Sequence, residues 1–180
     1  LLRRLSQFRR DVRGLAAVEF AIIVPMMLTI FFGTIEVSNA VAVDRKVTLA
    51  ARTLSDLISQ GTKATDIDVA NAFKMSAAIL TPYSSTPLKQ RVSAIDIDGK
   101  GVATVTWTDG SNTSGMSSLQ KGDVVSVPDA LRVNNTQLIM GEIAYTYVPA
   151  VGYFMKDGIT LTDSTYTRPR QSAQVTRTAS

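Results

Sequence analysis

The sequence predicts an α+β protein: a long N-terminal helix, a short second helix, then a mainly antiparallel sheet of about four strands. Three observations carry this prediction. An apolar run at residues 15–32 passes without interruption into an amphipathic helical stripe that reaches about residue 60. Pro82 and a Ser/Thr/Pro-rich connector at 83–87 then break the helical pattern. Beyond them the chain turns to β-prone runs separated by Gly, Asp, Asn and Pro.

Residues 1–14 (LLRRLSQFRRDVRG) form a basic leader too short to fold. The whole chain has 19 basic and 15 acidic residues, a net +4, and the leader holds five of those arginines against one aspartate. Taking 5 from 19 and 1 from 15 leaves 14 of each sign, so the entire excess lies beside the apolar run. That is the positive-inside pattern of a membrane protein with a cytoplasmic N-terminus. A nucleic-acid binder would spread its charge over a folded surface, and no nucleic-acid partner is expected.

The run LAAVEFAIIVPMMLTIFF is eighteen residues long with one ionisable group, Glu19, and spans roughly 27 Å as a helix. Residues 33–35 bring it to the length of about twenty that a bilayer requires. A secretory signal peptide has a shorter apolar part, about 7–15 residues, closed by a small-x-small cleavage site. Here the helical pattern goes straight on, so 15–35 reads as a retained transmembrane segment. Pro25 removes one backbone hydrogen bond inside it, which is either a tolerated kink or a flexible point between lipid and assembly.

Ala40, Val43, Val47, Ala50, Leu54 and Leu57 follow at alternating spacings of three and four, a heptad stripe along one face. Arg45, Arg52 and Asp56 fall on the other side, with Arg52 and Asp56 placed to pair across one turn. The stripe docks either on this chain's own sheet or on a helix of a partner subunit. Gly61 is the expected stop. Thr65 caps a second helix whose first turn carries Asp66 and Asp68, and Ile67, Ala70, Phe73, Ala77 and Leu80 make its expected apolar face. Pro82 ends it.

Strands are expected around residues 92–97 and 102–108, joined by the hairpin signal Asp98-Gly99-Lys100-Gly101. Residues 109–118 form a polar loop, 123–127 a short strand and 128–131 one helical turn. Residues 137–148 are the best strand of all, with Leu138, Met140, Glu142, Ala144 and Thr146 on one side and Ile139, Ile143, Tyr145 and Tyr147 on the other. A last strand covers 159–166. The expected divisions are a leader at 1–14, the transmembrane segment at 15–35, its amphipathic continuation at 36–61, a body at 62–170 and a frayed polar tail at 171–180.

The chain contains no cysteine and no histidine. That excludes disulfides, thiolate metal sites, the imidazole general base and the usual nucleophilic triads, so no enzyme and no cofactor is expected. Asp109-x-Ser111-x-Thr113 has the spacing of an oxygen-ligand cation site, but a solvated turn explains it better. Asp96 and Asp98 read as a hairpin flank, and Gly99 and Gly101 as turn glycines with no helix after them to cradle phosphate. Tyr145, Tyr147, Tyr153 and Phe154 make either core and rim or an exposed patch.

Gly14 is followed by four small or apolar residues, then Glu19, Phe20 and the long apolar helix, which is the processing pattern of type IV prepilins. The fuller string RRDVRGLAAVEFAIIVPMMLTIFFGTIEV resembles the TadE-like family of Tad/Flp pilus assembly proteins, with a weaker likeness in GEIAYTYVP and TYTRPR. The resemblance implies a pilin-like fold in a single-pass protein of the bacterial inner membrane, its C-terminal body periplasmic. It implies a minor pilin or pseudopilin acting in pilus assembly, adhesion and biofilm formation, with other Tad/Flp subunits and the assembly platform as partners. A prepilin peptidase would cut between Gly14 and Leu15, reading Glu19 and Phe20. Glu19 would then pair with the new amine of Leu15 on a neighbouring subunit. Two alternatives stay open: an uncleaved membrane-anchored scaffold or adhesin, and a Glu19 that only snorkels to the headgroups.

Overall fold

The unbroken apolar-to-amphipathic pattern produces one continuous helix. In the computed structural model, which describes residues 13–149 and 157–179, helix α1 covers Arg13–Ser59, 47 residues, or about 70 Å. Pro25 lies inside it without ending it. The expected stripe is the buried seam: Val43, Val47, Ala50 and Leu54 are fully buried, and Ala40 and Leu57 partly so. Ala51, Ser55, Ile58 and Ser59 widen it. The surface that covers the seam is this chain's own sheet together with the second helix. Asp56 does not turn to Arg52 as expected; Arg170 and Gln60 engage it instead.

After α1 a two-residue strand β1 (Lys63–Ala64) leads into helix α2 (Asp66–Ala78). Thr65 and Asp68 form a reciprocal capping box, Asp68 N donating to Thr65 Oγ1 at 3.2 Å and Thr65 N to Asp68 Oδ2 at 3.0 Å. These bonds hold the Asp68 carboxyl below its ordinary pKa. The expected apolar face of α2 needs correction, because Ile67 and Ala70 are exposed. Val69, Ala72 and Ser76 are buried, with Phe73 and Ala77 partly covered and Leu80 beneath the exit. The buried side includes Ser76, which accepts from Gln90 Nε2, a polar contact that counting apolar residues passes over.

Four strands, β2 (Leu88–Ile97), β3 (Ala103–Ser111), β4 (Thr136–Tyr147) and β5 (Ile159–Thr167), form a fully antiparallel sheet in the order β3-β2-β4-β5. The β2–β3 hairpin turns where expected. Asp98 Oδ1 accepts from the Lys100 and Val102 amides, each at 2.8 Å, and Gly101 takes φ +81°. Ala94 then pairs with Trp107 but Ile95 with Val105, which leaves Thr106 as a bulge. The bulge turns Trp107 to the helix side while Ala103 and Val105 point away.

The sheet has two covered faces rather than the single one expected. On the face away from α1, Ile95, Ile97, Ala103, Val105, Leu138 and Met140 gather with Val127 beneath Leu119, Val125 and Leu131. Residues 123–127 are no strand; they make one bridge, Thr104 to Val124, and lie along β3 as its cover. The helical turn at 128–131 is present as a 3-10 turn, Asp129–Leu131.

The tail is likewise not frayed through residue 179. Strand β6 (Thr176–Arg177) pairs in parallel with β1, and Val175 is fully buried. Val175 O accepts from Trp107 Nε1 at 2.9 Å, and Val175 N donates to Gln137 Oε1 at 2.6 Å. Arg177 bridges Asp66 and Asp109, donating from Nε to Asp109 Oδ2 at 2.6 Å.

Candidate functional site

From Gly14 to Ile35 the helix carries apolar side chains on every side, and the body covers none of them. Leu15, Val18, Phe20, Ile22, Ile23, Met26, Met27, Leu28, Ile30, Phe31 and Phe32 are each exposed over at least about a third of their surface. At about 1.5–3 kcal/mol per large side chain, removing these eleven from water is worth roughly 15–30 kcal/mol. A helix apolar all round belongs in a core or a bilayer, and this one is in no core of its own chain. Among the described residues it is the one helix long and apolar enough to cross a membrane. Thr29 and Thr34 fold their hydroxyls onto the carbonyls of Pro25 and Ile30, at 2.8 Å each, so neither presents an unmet donor to lipid.

The residues singled out for processing all lie at the start of α1. Gly14 and Leu15 fall in its first turn, where the first four amides lack helical partners. Nothing lies within 4 Å of a Cβ built on Gly14, so packing in this chain does not demand a glycine there. Leu15 and Glu19 are one turn apart on the same side of the helix. Glu19 is exposed, with no hydrogen-bond or ion-pair partner among the described residues. Phe20 is exposed beside it. The leader at 1–12 and the aromatic pair Tyr153 and Phe154 lie outside the described residues.

The helix meets the body abruptly at Glu36, which is only 2% exposed although Ile35 and Val37 beside it are exposed. The sheet explains the level of this junction. Gly141 touches α1 at Ala51 and Ser55, and β4 runs on six residues, about 20 Å, to Tyr147. There burial raises the Tyr147 phenol pKa, with smaller contributions from the nearby Tyr83 and Glu36. Tyr83 stacks edge-on against Tyr147, ring centres 6.1 Å apart, and Tyr145 Oη donates to Ser84 O at 2.9 Å. Lys46 closes the far end of α2, donating to the Ile79 and Thr81 carbonyls at 2.9 and 2.8 Å. Tyr145 and Tyr147 are thus core and rim. Glu36 is the functional-looking residue that pattern reading passed over; its signal was being the first charge after the apolar run.

The other acidic groups are engaged structurally. Asp109 is held by Arg177, so the Asp-x-Ser-x-Thr spacing does not present a free cation ligand, and no metal-holding group occurs among the described residues. Asp96 accepts from Gln137 and Gln174, and Asp98 caps its turn. An open groove of about 430 Å³ on the outer sheet face contains Lys89, Arg91 and Glu142. Its central charges are spent on each other, with Arg91 Nε 2.6 Å from Glu142 Oε2 and Arg91 also bound to the Ser117 carbonyl.

Comparison with curated proteins and with solved structures gives no match. A family model described as TadE-like protein matches residues 14–55. The matched stretch begins at Gly14, takes in the whole uncovered apolar half of α1 and ends within the helix–sheet seam. Over that stretch of α1 the chain is similar to TadE-like proteins.

Proposed function

We propose that the protein is a membrane-anchored minor pilin or pseudopilin that takes part in assembling a Tad/Flp-type pilus. The observation that carries this is the uncovered apolar half of α1, matched by the TadE-like model and opening with Gly14, Glu19 and Phe20. In the membrane the leader arginines stay cytoplasmic and the body lies on the periplasmic side. A prepilin peptidase removes the leader after Gly14, and the apolar helix is handed from lipid to the helices of neighbouring subunits. The new Leu15 amine would sit at the positive end of the helix dipole. The Glu19 carboxylate of an adjacent subunit neutralises it, an ion pair strengthened by apolar surroundings.

Intact mass of the membrane-extracted protein tests this directly. Cells with an active pilus peptidase should yield a chain beginning at Leu15, and a bulky residue at Gly14 should block the cut. Recovery of full-length protein alone would favour an uncleaved scaffold. Glu19→Ala separates pairing from snorkelling: the variant should insert and be cut yet fail to cross-link to its partners. Wild-type pilus levels in that strain would remove Glu19 from assembly.

A further inference from the structure

The junction between helix and body contains no linker, and this fixes where the body stands. Residues 15–35 span about 31 Å as a helix, the thickness of a bilayer's hydrocarbon layer, so Glu36 emerges at its boundary. The next turn and a half, to Val41, rises only about 8 Å, comparable with the headgroup layer on one side of a bilayer. The body already reaches this level. Gly141 sits against Ala51 and Ser55, and the six further residues of β4 carry Tyr147 about 20 Å back along the helix towards Glu36, where Tyr147 pairs with Ile159 at the turn end of the β4–β5 hairpin.

The side chains there are apolar and uncovered. Val148 is 61% exposed, and Val37, Val41 and Ile159 are exposed around the same level. Tyr83, half-buried next to Tyr147, adds an aromatic of the kind enriched at membrane interfaces. In water these aliphatic groups gain nothing from their positions. In a headgroup layer they are buried by continuation of the surface that already covers the span.

We propose that the membrane-proximal rim of the body, formed by Val37, Val41, Val148 and Ile159, is seated in the headgroup layer of the bilayer. This rests on the anchor reading of α1 above. These four side chains are aliphatic and the exposed charge beside them, Asp157, is acidic, so seating draws nothing from anionic lipid. The body is then held at two places, by its helix and by the turn end of the β4–β5 hairpin, and stands at a fixed tilt. Leaving the membrane for a filament exposes the rim.

The chain has no cysteine, so single substitutions can be labelled uniquely. The full chain is reconstituted in neutral phosphatidylcholine vesicles with an environment-sensitive fluorophore at Val148→Cys or Ile159→Cys. Leu28→Cys marks the span, and Val133→Cys marks the opposite end of the sheet. Unchanged Trp107 emission certifies that each body is folded. Lipids carrying a nitroxide high on the acyl chain should quench the labels at 28, 148 and 159 and leave the one at 133 bright. Labels at 148 and 159 as bright as that at 133, with 28 quenched, would overturn the seating and leave the anchor intact. An unquenched label at 28 would remove the anchor and the proposal with it. Emission loss at 148 that follows protein density instead of nitroxide content would assign the rim to a second copy, and the lipid proposal would fail.

Discussion

At Gly141 the sheet lies close against α1, and Gly141→Ala tests the seat of the helix. A Cβ at this position would lie 2.6 Å from Ala51 O and 3.0–3.1 Å from the Ser55 amide and Cβ. Two of those atoms are helix backbone, which cannot rotate aside as a side-chain tip can. Relief requires helix and sheet to part by roughly 0.5–1 Å, which forfeits a quarter to a half of the dispersion attraction along the seam. Overpacking of this kind costs about 1–3 kcal/mol. At about 2–4 °C per kcal/mol for a chain of this size, the melting temperature should fall by about 2–12 °C. The assay is denaturant unfolding of the detergent-solubilised chain, followed through Trp107, the chain's one tryptophan, which lies in the same core. The midpoint should drop with the slope unchanged. Gly99→Ala is the control: its Cβ would meet only Asn135 Oδ1 at 3.5 Å, and it should shift stability by less than about 0.5 kcal/mol. Equal midpoints for the two variants would refute the close seating.

Arg177→Ala should free the tail at a cost of about 1–3 kcal/mol, since two charge-assisted contacts are lost. Trp107 should report it as a red-shifted emission, and tail cleavage by trypsin at Arg170 should accelerate; a native spectrum would show that Val175 holds the tail unaided. Glu142→Ala strands Arg91, whose side chain is 6% exposed, and should cost about 3–5 kcal/mol. Replacing both partners by apolar residues should recover much of that loss, and a double variant as unstable as the single one would contradict it. Thr65 lowers the Asp68 pKa from its ordinary 3.8, so near that pH the folded chain binds fewer protons than the unfolded one. The stability from this group is full above its unfolded pKa and lost as pH falls through the lower folded value. Asp68→Asn should therefore narrow the wild type's midpoint difference between about pH 6 and about pH 3, and an undiminished difference would show that other carboxyls govern it.

Much of this architecture was legible because it repeats. The seam from Val43 to Leu57 follows a period that only a helix satisfies, and the Asp98–Gly101 turn states its own geometry. The uncovered apolar half of α1 was legible for the same reason, and with it the placement of Gly14, Leu15, Glu19 and Phe20 at the start of one helix. Misreadings arose where one contact, and no repeat, decides. Helix α2 has apolar residues on two sides, and Gln90 reaching Ser76 and Phe73 settles which side faces inward. Val175 is a single apolar residue in a polar tail, and its docking depends on Trp107 and Gln137, 68 and 38 positions away. Trp107 itself points inward only because Thr106 bulges out of register. The outer-face core was hidden because both sides of β4 are apolar, which alternation alone cannot assign.

The absence of a linker between the apolar span and the seam has a mechanical consequence. A pull on the N-terminal half of α1 is delivered along the axis of the same helix that forms the spine of the body. Strand β4 packs against that spine, with Gly141 at Ala51 and Ser55, so the load runs along the helix–sheet boundary. The contacts from Val43 to Ile58, about 23 Å of packed surface, bear it together in shear instead of opening one after another like a zipper. A body hung from a flexible tether would yield contact by contact; this one resists until the whole seam slips.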